Sequence, residues 1–459
     1  MKKSFSLIFI ASLLLSACAG METPIAVADP TVTPQNVTAT STPEPAVETA
    51  TRLDVNEEAL NGLEISVWLP WYGVEAGLFE SFVNQFNAEN EWGIKVSTKN
   101  QVSFANLYET VTASLPTSER PTMVIALPEH AQWWNDNGVV ADLTPYAQDP
   151  RYGMDATDIP IVFWNQDLAG DVRVGIPAQR TAQFLLRNET WAGELGFASV
   201  PGTSAEFRRQ ACGANASLRA DNDPTNDALG GWLVNTESMT AHAWMLSFGG
   251  GVLEEGNYRF LAPGNVETFK FLRELSENGC AWQSTSANPF SAFANRQALF
   301  ITADVSDLPD VARAFAAANS TDNWSVVPFP SEDGGLIAVY GSSYVVLNAS
   351  NEEELAAWLF IRWLLDEEQD ARWVEVTHLF PLRSSTLSLL GDYERSRPQW
   401  RQAVDLIPQG EMQPQLGSWR TVKIMLGDGF AHMYRVNVAS GQVAAILAQM
   451  ESMARDLSE

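Results

Sequence analysis

The sequence predicts an α/β fold in which helices cover a largely parallel sheet. Apolar residues alternate over 63–68, as in a strand, and then recur at helical spacing over 78–86. Strand and helix signals continue to alternate as far as residue 134, which is the pattern of β-α-β units. The chain has 459 residues, enough for two cores, and the absence of a short-period internal repeat disfavours a solenoid or a propeller.

Local signals bound each of these elements. Alternation predicts the strands, helical spacing predicts the helices, and glycine and proline separate them. Ligands of such sheets bind beyond the carboxyl ends of the strands, so 69–72 and 127–130 are expected to share one rim. In order, the predicted elements are a strand at 63–68, a helix at 78–86, a strand from 94, a helix around 107–115, a buried strand at 123–127 and a helix at 128–134.

The later parts of the chain have a different pattern. Residues 201–300 carry helical signals and the glycine run at 249–251. The segment 324–330, which contains valine and proline, is predicted to be an extended crossing. Residues 352–374 are predicted to be helical, because their large apolar residues form one stripe at helical spacing.

The N-terminus predicts export and a lipid anchor. Lys2 and Lys3 precede an apolar run at 5–15, which is too short to span a bilayer but suits the core of a signal peptide. The run ends in the tetrapeptide Leu-Ser-Ala-Cys, which resembles a bacterial lipobox. We therefore predict that 1–18 is a lipoprotein signal peptide and that Cys18 carries the lipid. An ordinary cleaved signal followed by an unrelated cysteine is the alternative.

The segment 19–60 is predicted to be a disordered tether rich in threonine, proline and alanine. Its stretch 21–51 contains five prolines, eight threonines and no aromatic residue. Such a segment buries too little apolar surface to offset the entropy lost on ordering, so it is expected to hold the folded body away from the membrane. No later stretch is apolar enough for a membrane span, so the lipid is the only expected anchor.

Charge and cysteine content narrow the possible partners. The formal net charge of -28 disfavours nucleic acid, whose binders need a basic face, and anionic lipid. The solubility of an exported protein is a sufficient reason for this charge. Cys212 and Cys280 remain after Cys18, and in an oxidising compartment they are predicted to form a disulfide. The four histidines are far apart in sequence, so no metal or other cofactor is predicted.

Sequence signatures of common enzyme classes are absent. The chain has no GxxxxGK[ST] phosphate loop, no GxGxxG, no HExxH and no GxSxG nucleophile elbow. A glycosidase would need two placed carboxylates beside a sugar, and the 56 acidic residues make chance pairs common. A lipid-anchored surface glycosidase stays open at this point, with nothing specific in its favour.

Several short stretches together carry a resemblance to a known family. They are GIPAQR at 175–180, QFLLRN at 183–188, ELGF at 194–197, ALFIT at 298–302 and AAWLFI at 356–361. In this order they resemble the family 1 extracellular solute-binding proteins of bacterial ABC importers, and the similarity covers almost everything after the tether. One departure is Arg187, where relatives often carry tyrosine.

The resemblance implies a two-lobed α/β fold of the type II periplasmic-binding-protein class, with a hinge of three crossings. A hinge motion would close the lobes on a ligand in the cleft, and permease subunits of the importer would read the closed form. It also implies a monomer that is not an enzyme and works outside the cytoplasm. The implied bounds are 179–183, 328–330 and 380–382 for the crossings, 60–180 plus 330–380 for lobe one, and 183–328 plus 381–459 for lobe two.

Four candidate ligand-binding residues follow the strands of lobe one. Sugar recognition needs aromatic faces for C–H surfaces and polar groups for hydroxyls. Trp71 and Tyr72 follow the first strand, and Glu129 and His130 follow the third. The aromatic pair could instead pack in the core, and Glu129 could instead complement the positive end of a helix.

Four more candidates lie at or after the predicted crossings. Arg180 could donate several hydrogen bonds to a ligand, or form a salt bridge between the lobes. Tyr340, Gly341 and Ser342 form a polar segment after the second crossing, and the resemblance implies that this loop lies at the ligand.

The last four candidates belong to lobe two. Trp244 precedes the glycine run, where Gly250 would let backbone N–H groups approach a ligand; Trp244 could also be a core residue. Thr302 ends an apolar run whose continuation lines the cleft in relatives. Trp419 lies where similar proteins place an aromatic ring against sugar.

These observations predict a substrate-binding lipoprotein that captures a sugar or oligosaccharide for an ABC importer. A glycerol-phosphate-type ligand in the same role is the nearest alternative, because phosphate favours arginine and backbone donors whereas sugars favour stacked aromatic rings. The 16 tryptophans favour the sugar. A protein that presents its ligand to a membrane sensor is a third possibility.

Overall fold

The computed structural model describes residues 50–284 and 289–458. The predicted signal peptide, the lipid-anchor residue Cys18 and the tether as far as residue 49 lie outside these residues. Within the described ranges, no helix combines the length and the apolar character that crossing a membrane requires.

Two strands of the described part are much longer than the others and run through its middle. They are β6, with 13 residues, and β13, with 10 residues. In chain order the strands are β1 (Glu64–Leu69), β2 (Lys95–Asn100), β3 (Met123–Ala126), β4 (Leu168–Ala169), β5 (Val172–Arg173), β6 (Ile176–Asn188), β7 (Trp232–Leu233), β8 (Leu253–Glu254), β9 (Asn257–Tyr258), β10 (Ala281–Trp282), β11 (Phe300–Ala303), β12 (Trp324–Val327), β13 (Ile337–Val346) and β14 (Gly410–Met412).

Helices alternate with these strands along the described chain. The α-helices are α1 (Gly73–Glu89), α2 (Phe104–Ser114), α3 (Pro128–Asp136), α4 (Thr144–Ala147), α5 (Ile161–Trp164), α6 (Glu189–Glu194), α7 (Ser204–Arg219), α8 (Ser238–Ser247), α9 (Pro263–Glu277), α10 (Pro289–Ala294), α11 (Leu308–Ala317), α12 (Asn351–Leu364), α13 (Glu367–Thr377), α14 (Gly391–Ser396), α15 (Pro398–Asp405), α16 (Trp419–Met433) and α17 (Val443–Ser458). Short 3₁₀ helices occupy Glu57–Leu60, Asn165–Asp167, Val305–Asp307, Ser385–Leu389, Ile407–Gln409 and Ser440–Gln442.

The N-terminal region contains the alternating elements that its periodicity predicts. β1 pairs in parallel with β2 on one side and with β3 on the other, where Val67 lies opposite Met123. α1 buries Phe79, Phe82 and Phe86, which recur at helical spacing and therefore face one side. The predicted order β-α-β-α-β-α is confirmed.

The complete sheet is mixed, which corrects the prediction of a largely parallel sheet. Its strand order is β10-β7-β11-β6-β13-β3-β1-β2, with β12 paired to β6 and β14 paired to β13. β13 is antiparallel to both β3 and β6, and β11 and β12 are antiparallel to β6. Local periodicity did not show this, because β6 ends at Asn188 and β13 begins only at Ile337.

β6 passes between two clusters of buried apolar side chains, and a third cluster draws on residues from both sides of it. Its first part, Ile176 to Gln183, pairs with β13, and its last part, Phe184 to Asn188, pairs with β11 and β12. One cluster of buried apolar side chains draws on 60–178 and 344–382, and another draws on 185–338 and 419–454. We use the names lobe one and lobe two for the parts built around these two cores.

The segment 51–60 packs on lobe one, although it belongs to the predicted tether. Leu60 is fully buried, and the Thr51 hydroxyl donates to a carboxylate oxygen of Asp149 at 2.9 Å. The Asn56 backbone N–H donates to the Glu352 carboxylate at 3.0 Å. The folded body therefore includes Thr51 and the residues that follow it. Composition alone could not reveal this, because the partners are distant in sequence.

The predicted disulfide is present. It joins Cys212 in α7 to Cys280 beside β10, with the two Cα atoms 4.4 Å apart. The bridge closes a loop of 68 residues within lobe two. In the chain-entropy model such a loop stabilises the folded state by about 4 kcal/mol, because it restricts the unfolded chain.

The single helix predicted at 352–374 is two helices. α12 begins with a capping box, in which the Ser350 hydroxyl accepts the Glu353 N–H and the Glu353 carboxylate accepts the Ser350 N–H. It ends at Leu364, and Asp366 has extended backbone before α13 begins. The apolar stripe hides this break, because both helices contribute side chains to the core of lobe one.

Candidate functional site

Polar side chains meet along the two long strands where the chain passes from one core to the other. Because side chains alternate along a strand, Gln179 and Gln183 lie on one face of β6. The Ser342 hydroxyl of β13 donates to Gln179 Oε1 at 3.2 Å, and Gln183 Nε2 donates to the Tyr340 hydroxyl at 3.3 Å. We call Gln179, Gln183, Tyr340 and Ser342 the polar row. It lies on β6 and β13 between the apolar clusters of lobe one and lobe two.

Trp71 reaches the polar row from the end of β1. Its indole Nε1 donates to Gln179 Oε1 at 3.2 Å, while its ring packs against Phe79 and Trp373 in the core of lobe one. The adjacent Tyr72 precedes α1 and is 68% exposed. Trp71 therefore combines core packing with a polar contact, whereas the ring of Tyr72 is open to solvent.

Gly341 has a structural reason to be glycine. Its φ is +157°, and a Cβ at this position would lie 2.0 Å from the carbonyl oxygen of Gln179. The pairing of β13 with β6 also shifts register between Ser342 and Ser343. Only glycine allows β6 and β13 to approach so closely here, so Gly341 determines the backbone shape at this point of the polar row.

Glu129 forms an ion pair that connects the two lobes. Its fully buried carboxylate contacts the ammonium of Lys423 on α16, and Gln413 Nε2 donates to its other oxygen at 3.3 Å. Burial raises the pKa of Glu129, but the charge of Lys423 and its hydrogen bond outweigh burial and hold this pKa below its ordinary value. Glu129 is therefore an anion at neutral pH, and its partner comes from the opposite lobe.

His130 is kept neutral by its surroundings. Its ring centroid lies 4.8 Å from that of Tyr108 and 5.9 Å from that of Trp134. Burial lowers the pKa of His130 to about 4, although the charge of Glu129 acts in the opposite direction. The uncharged ring packs against its neighbours and carries no charge to the cleft at neutral pH.

A cavity of about 700 Å³ opens between α3 and α16. Lobe one contributes the end of α3, and lobe two contributes the β8–β9 hairpin, the start of α16 and the end of α17. Its volume lies within the range of small-molecule sites. Six lining residues bring aromatic, hydroxyl or charged groups: Trp133, Asp136, Tyr258, Ser418, Arg420 and Arg455.

Two cations on α16 reach lobe one. Arg420 and Lys423 are three residues apart, so they lie on the same face of the helix. The guanidinium of Arg420 lies over the ring of Tyr108, 4.3 Å from its centroid, and Lys423 meets Glu129. Tyr258 adds a hydroxyl 3.0 Å from that of Ser418 on the lobe-two wall of the cavity.

Three carboxylates of lobe two lie beside the polar row. The Tyr340 hydroxyl donates to Asp304 at 2.8 Å, and Gln183 Nε2 donates to Glu237 at 3.1 Å. Burial and the charge of Asp304 raise the pKa of Asp307 to about 7, and the same two causes raise that of Glu237. In the described part of the chain, no cluster of histidine, cysteine and carboxylate side chains is arranged to hold a metal ion.

Arg180 lies on the other face of β6, and its side chain points into the protein interior. Its side chain is fully buried, and Nη2 bonds Asp167 at 2.5 Å and the Phe163 carbonyl at 3.2 Å. Nη1 donates to the Ser342 carbonyl at 2.5 Å. The salt bridge joins two residues of lobe one, so it is not the predicted bridge between the lobes, and the terminal nitrogens of Arg180 are occupied by protein acceptors rather than free for a ligand.

Four predicted residues lie in the interior of lobe two. Trp244 and Trp419 are fully buried and belong to its apolar cluster. The Thr302 hydroxyl accepts a hydrogen bond from Trp232 Nε1 at 3.2 Å, and the Gly250 N–H donates to a carbonyl at the end of α8. None of the four belongs to the polar row or lines the cavity.

None of the predicted ligand-binding residues lines the cavity. Tyr258 lies in a short hairpin that no motif marks, and Arg420 and Lys423 were overlooked in favour of their neighbour Trp419. The spacing of Trp419 and Val422, both buried, was the available signal. It assigns Trp419 to the core face of α16, and a helical period then turns Arg420 and Lys423 away from that core.

A family model described as bacterial extracellular solute-binding protein matches residues 81–395. No curated protein sequence shows significant similarity to the chain. Many solved structures are similar to it at low sequence identity.

Three of these structures cover nearly the same part of the chain. The sugar-binding protein MalE from Xanthomonas citri is 17% identical over 86% of this chain and 97% of its own, with a TM-score of 0.73. The cyclic alpha-maltosyl-1,6-maltose binding protein from Arthrobacter globiformis is 17% identical over 85% and 98%, with a TM-score of 0.69. UgpB from Mycobacterium tuberculosis, in complex with glycerophosphocholine, is 16% identical over 86% and 98%, with a TM-score of 0.68. The predicted two-lobed α/β fold is confirmed.

Proposed function

Because the chain belongs to the bacterial extracellular solute-binding proteins, we propose that it captures a sugar or oligosaccharide and delivers it to an ABC importer. Proteins of this family bind solutes outside the cytoplasm and are not enzymes, so a surface glycosidase is not retained. The cleft between the lobes, with the polar row and the adjoining cavity, is the proposed site.

One observation carries the proposed sugar ligand: aromatic rings from both lobes and hydroxyl groups from lobe two line one cavity. Trp133 comes from lobe one, and Tyr258 and Ser418 come from lobe two. A sugar offers C–H faces to such rings and hydroxyls to such polar groups. The likeness to a cyclic alpha-maltosyl-1,6-maltose binding protein and to a sugar-binding protein supports the same class.

On the floor of the cleft we assign ligand contacts to Tyr72, Tyr340 and Ser342, with Trp71 supporting them. Tyr72 has the exposed ring, and the hydroxyls of Tyr340 and Ser342 already exchange hydrogen bonds with the polar row. Glu129 would accept sugar hydroxyls where the ligand joins or displaces Lys423. His130 and Gly341 would shape the site rather than bind the ligand.

The proposed attachment to the membrane and delivery to the importer rest on the N-terminal features of the sequence. We propose that Cys18 carries the lipid, that the tether ends before Thr51, and that the folded body works as a monomer. Permease subunits would read the relative position of the lobes, with 60–180 plus 330–380 in lobe one and 183–328 plus 381–459 in lobe two. A glycerol-phosphate ester is the second candidate ligand, favoured by Arg420 in the cavity and by the likeness to UgpB.

The sugar assignment is testable by ligand-dependent thermal stability. A ligand that binds only the folded protein stabilises it by about 2.7 kcal/mol at a hundred times its Kd, so one sugar class should raise the Tm of the purified protein. Trp133→Ala should weaken this binding at least about tenfold, because it removes a stacking face. Trp92→Ala is the matched control, since Trp92 is half-buried in lobe one but does not line the cavity.

Two outcomes of these measurements would contradict the proposal. A broad panel of mono- and oligosaccharides and polyols that leaves the Tm unchanged would remove the sugar assignment. Equal weakening of binding by Trp133→Ala and Trp92→Ala would move the site away from the cavity.

A further inference from the structure

One cation at the cavity between α3 and α16 is not paired with a carboxylate of the described residues. Lys423 is neutralised by Glu129, and His130 is uncharged because burial lowers its pKa to about 4. Arg455 is 70% exposed and lies 3.8 Å from the carboxylate of Glu451. Arg420 remains, and no described residue offers it an ion pair or a hydrogen bond.

Arg420 is held in an orientation that suits ligand binding. Its side chain is half-buried, and its guanidinium lies over the ring of Tyr108 at 4.3 Å. Stacking on an aromatic face fixes the plane of a guanidinium but uses none of the N–H groups at its edge. Those groups match a carboxylate or phosphate as a bidentate pair.

The opposing charges near Arg420 are weak. Asp136 is the carboxylate among the lining residues, and it is exposed, so solvent screens its charge. The chain as a whole carries a net charge of -28, so carboxylates are plentiful elsewhere on it. An arginine that faces a cavity with a single, exposed carboxylate in its described lining is therefore a local feature of this site, not a consequence of the overall composition.

We infer that the ligand of this cavity carries an anionic group and that Arg420 binds that group. The inference rests on the proposed function and sharpens it, since the ligand becomes an acidic saccharide, such as one built from uronic acids. A glycerol-phosphate ester offers the same anionic chemistry from a different source, and Arg420 would bind its phosphate in the same way.

The test is calorimetric titration of the purified protein with matched ligand pairs. The pairs are glucose with glucuronate, galactose with galacturonate, and maltotriose with trigalacturonate; glycerol 3-phosphate is a separate arm. In at least one pair, the acidic member should bind about tenfold tighter or more, because it alone makes a charge-assisted bidentate contact. Arg420→Gln should abolish this preference, and Arg420→Lys should keep part of it. Arg313→Gln is the control, because Arg313 is 73% exposed in lobe two, away from the cavity.

Each outcome bears on a different step. Equal affinity for both members of every pair, or a preference that survives Arg420→Gln, overturns the inference and leaves sugar binding intact. Equal weakening of acidic and neutral members by Arg420→Gln assigns the residue to the contact with Tyr108 instead, and also overturns it. Binding of glycerol 3-phosphate alone, lost in Arg420→Gln, supports the anionic ligand but rejects the sugar. Binding of none of these compounds rejects both proposals.

Discussion

Two ion pairs lie beside the cleft, and they differ in their surroundings. In the pair Arg180–Asp167, both side chains are fully buried and their nitrogen and oxygen atoms are 2.5 Å apart. In the pair Glu129–Lys423, the carboxylate is fully buried but the lysine side chain is 24% exposed. The first pair lies under the long strands, and the second joins α3 of lobe one to α16 of lobe two.

From this difference we expect the first pair to stay fixed at a hinge and the second to open with the cleft. Arg180 also donates to the carbonyl groups of Phe163 and Ser342, and its own carbonyl accepts the N–H of Phe380 at the third predicted crossing. All of these groups must stay together in a folded molecule, because a buried charge without partners is costly. Lys423 already meets water, so its pair with Glu129 can be broken when the lobes move apart.

The largest effect is expected from Arg180→Met. This change leaves Asp167 buried without its cation, so the free energy of unfolding should fall by about 3–5 kcal/mol. Urea denaturation measures the loss. Arg209→Met is the matched control, because Arg209 is 63% exposed in α7 and should change stability by less than about 0.5 kcal/mol. Similar small losses in both variants would contradict the role of Arg180 as the centre of a fixed hinge.

A smaller effect is expected from Lys423→Met. Glu129 again loses its cation, but the lobes can separate and let water reach the carboxylate, so the loss should be about 1–2 kcal/mol. Urea denaturation gives the stability, and small-angle scattering should show a larger radius of gyration. Ile424→Ala, at an exposed neighbour on α16, should change neither. A loss as large as that of Arg180→Met, with no change in size, would make the second pair as rigid as the first.

The two ion pairs also show which features of the fold the sequence could predict and which it could not. Alternation and helical spacing predicted β1 to β3 with their helices, because those signals are local. The cysteine count and the inferred compartment predicted Cys212–Cys280, and the order of short stretches predicted two lobes. The partners of Arg180 and Glu129 lie 13 and 294 residues away, and no local pattern links them.

The candidate site was predicted less completely, for a related reason. The residues after the strands of lobe one were predicted as ligand contacts because strand ends are readable from periodicity, and this role stays a prediction. Trp244 and Trp419 were chosen for their ring chemistry, but the side of the helix on which a ring lies depends on the core it meets. Arg180 and Gln179 are adjacent in sequence but lie on opposite faces of β6. Residue type alone does not reveal which face each side chain occupies.

The smallest effect concerns Asp307, a partly buried carboxylate that, unlike Asp167 and Glu129, has no cation to hold it ionised. Burial and the charge of Asp304 raise its pKa to about 7, whereas an unfolded chain has an Asp pKa of about 3.9. Between those values the folded protein binds more protons than the unfolded chain, so this residue makes stability fall as the pH rises and level off above about 7.

Asp307→Asn should therefore reduce the loss of stability between about pH 5 and about pH 8, by on the order of 1 kcal/mol after allowing for partial exposure. Unfolding free energies of both proteins at the two pH values give the difference, which cancels contributions from Asp370 and other titrating groups. Asp333→Asn, at an exposed residue, should leave the pH dependence unchanged. If Asp307→Asn also leaves the pH dependence unchanged, a cation or another group keeps Asp307 ionised in the folded protein. The distinction between carboxylates with and without a cation partner would then not hold for Asp307.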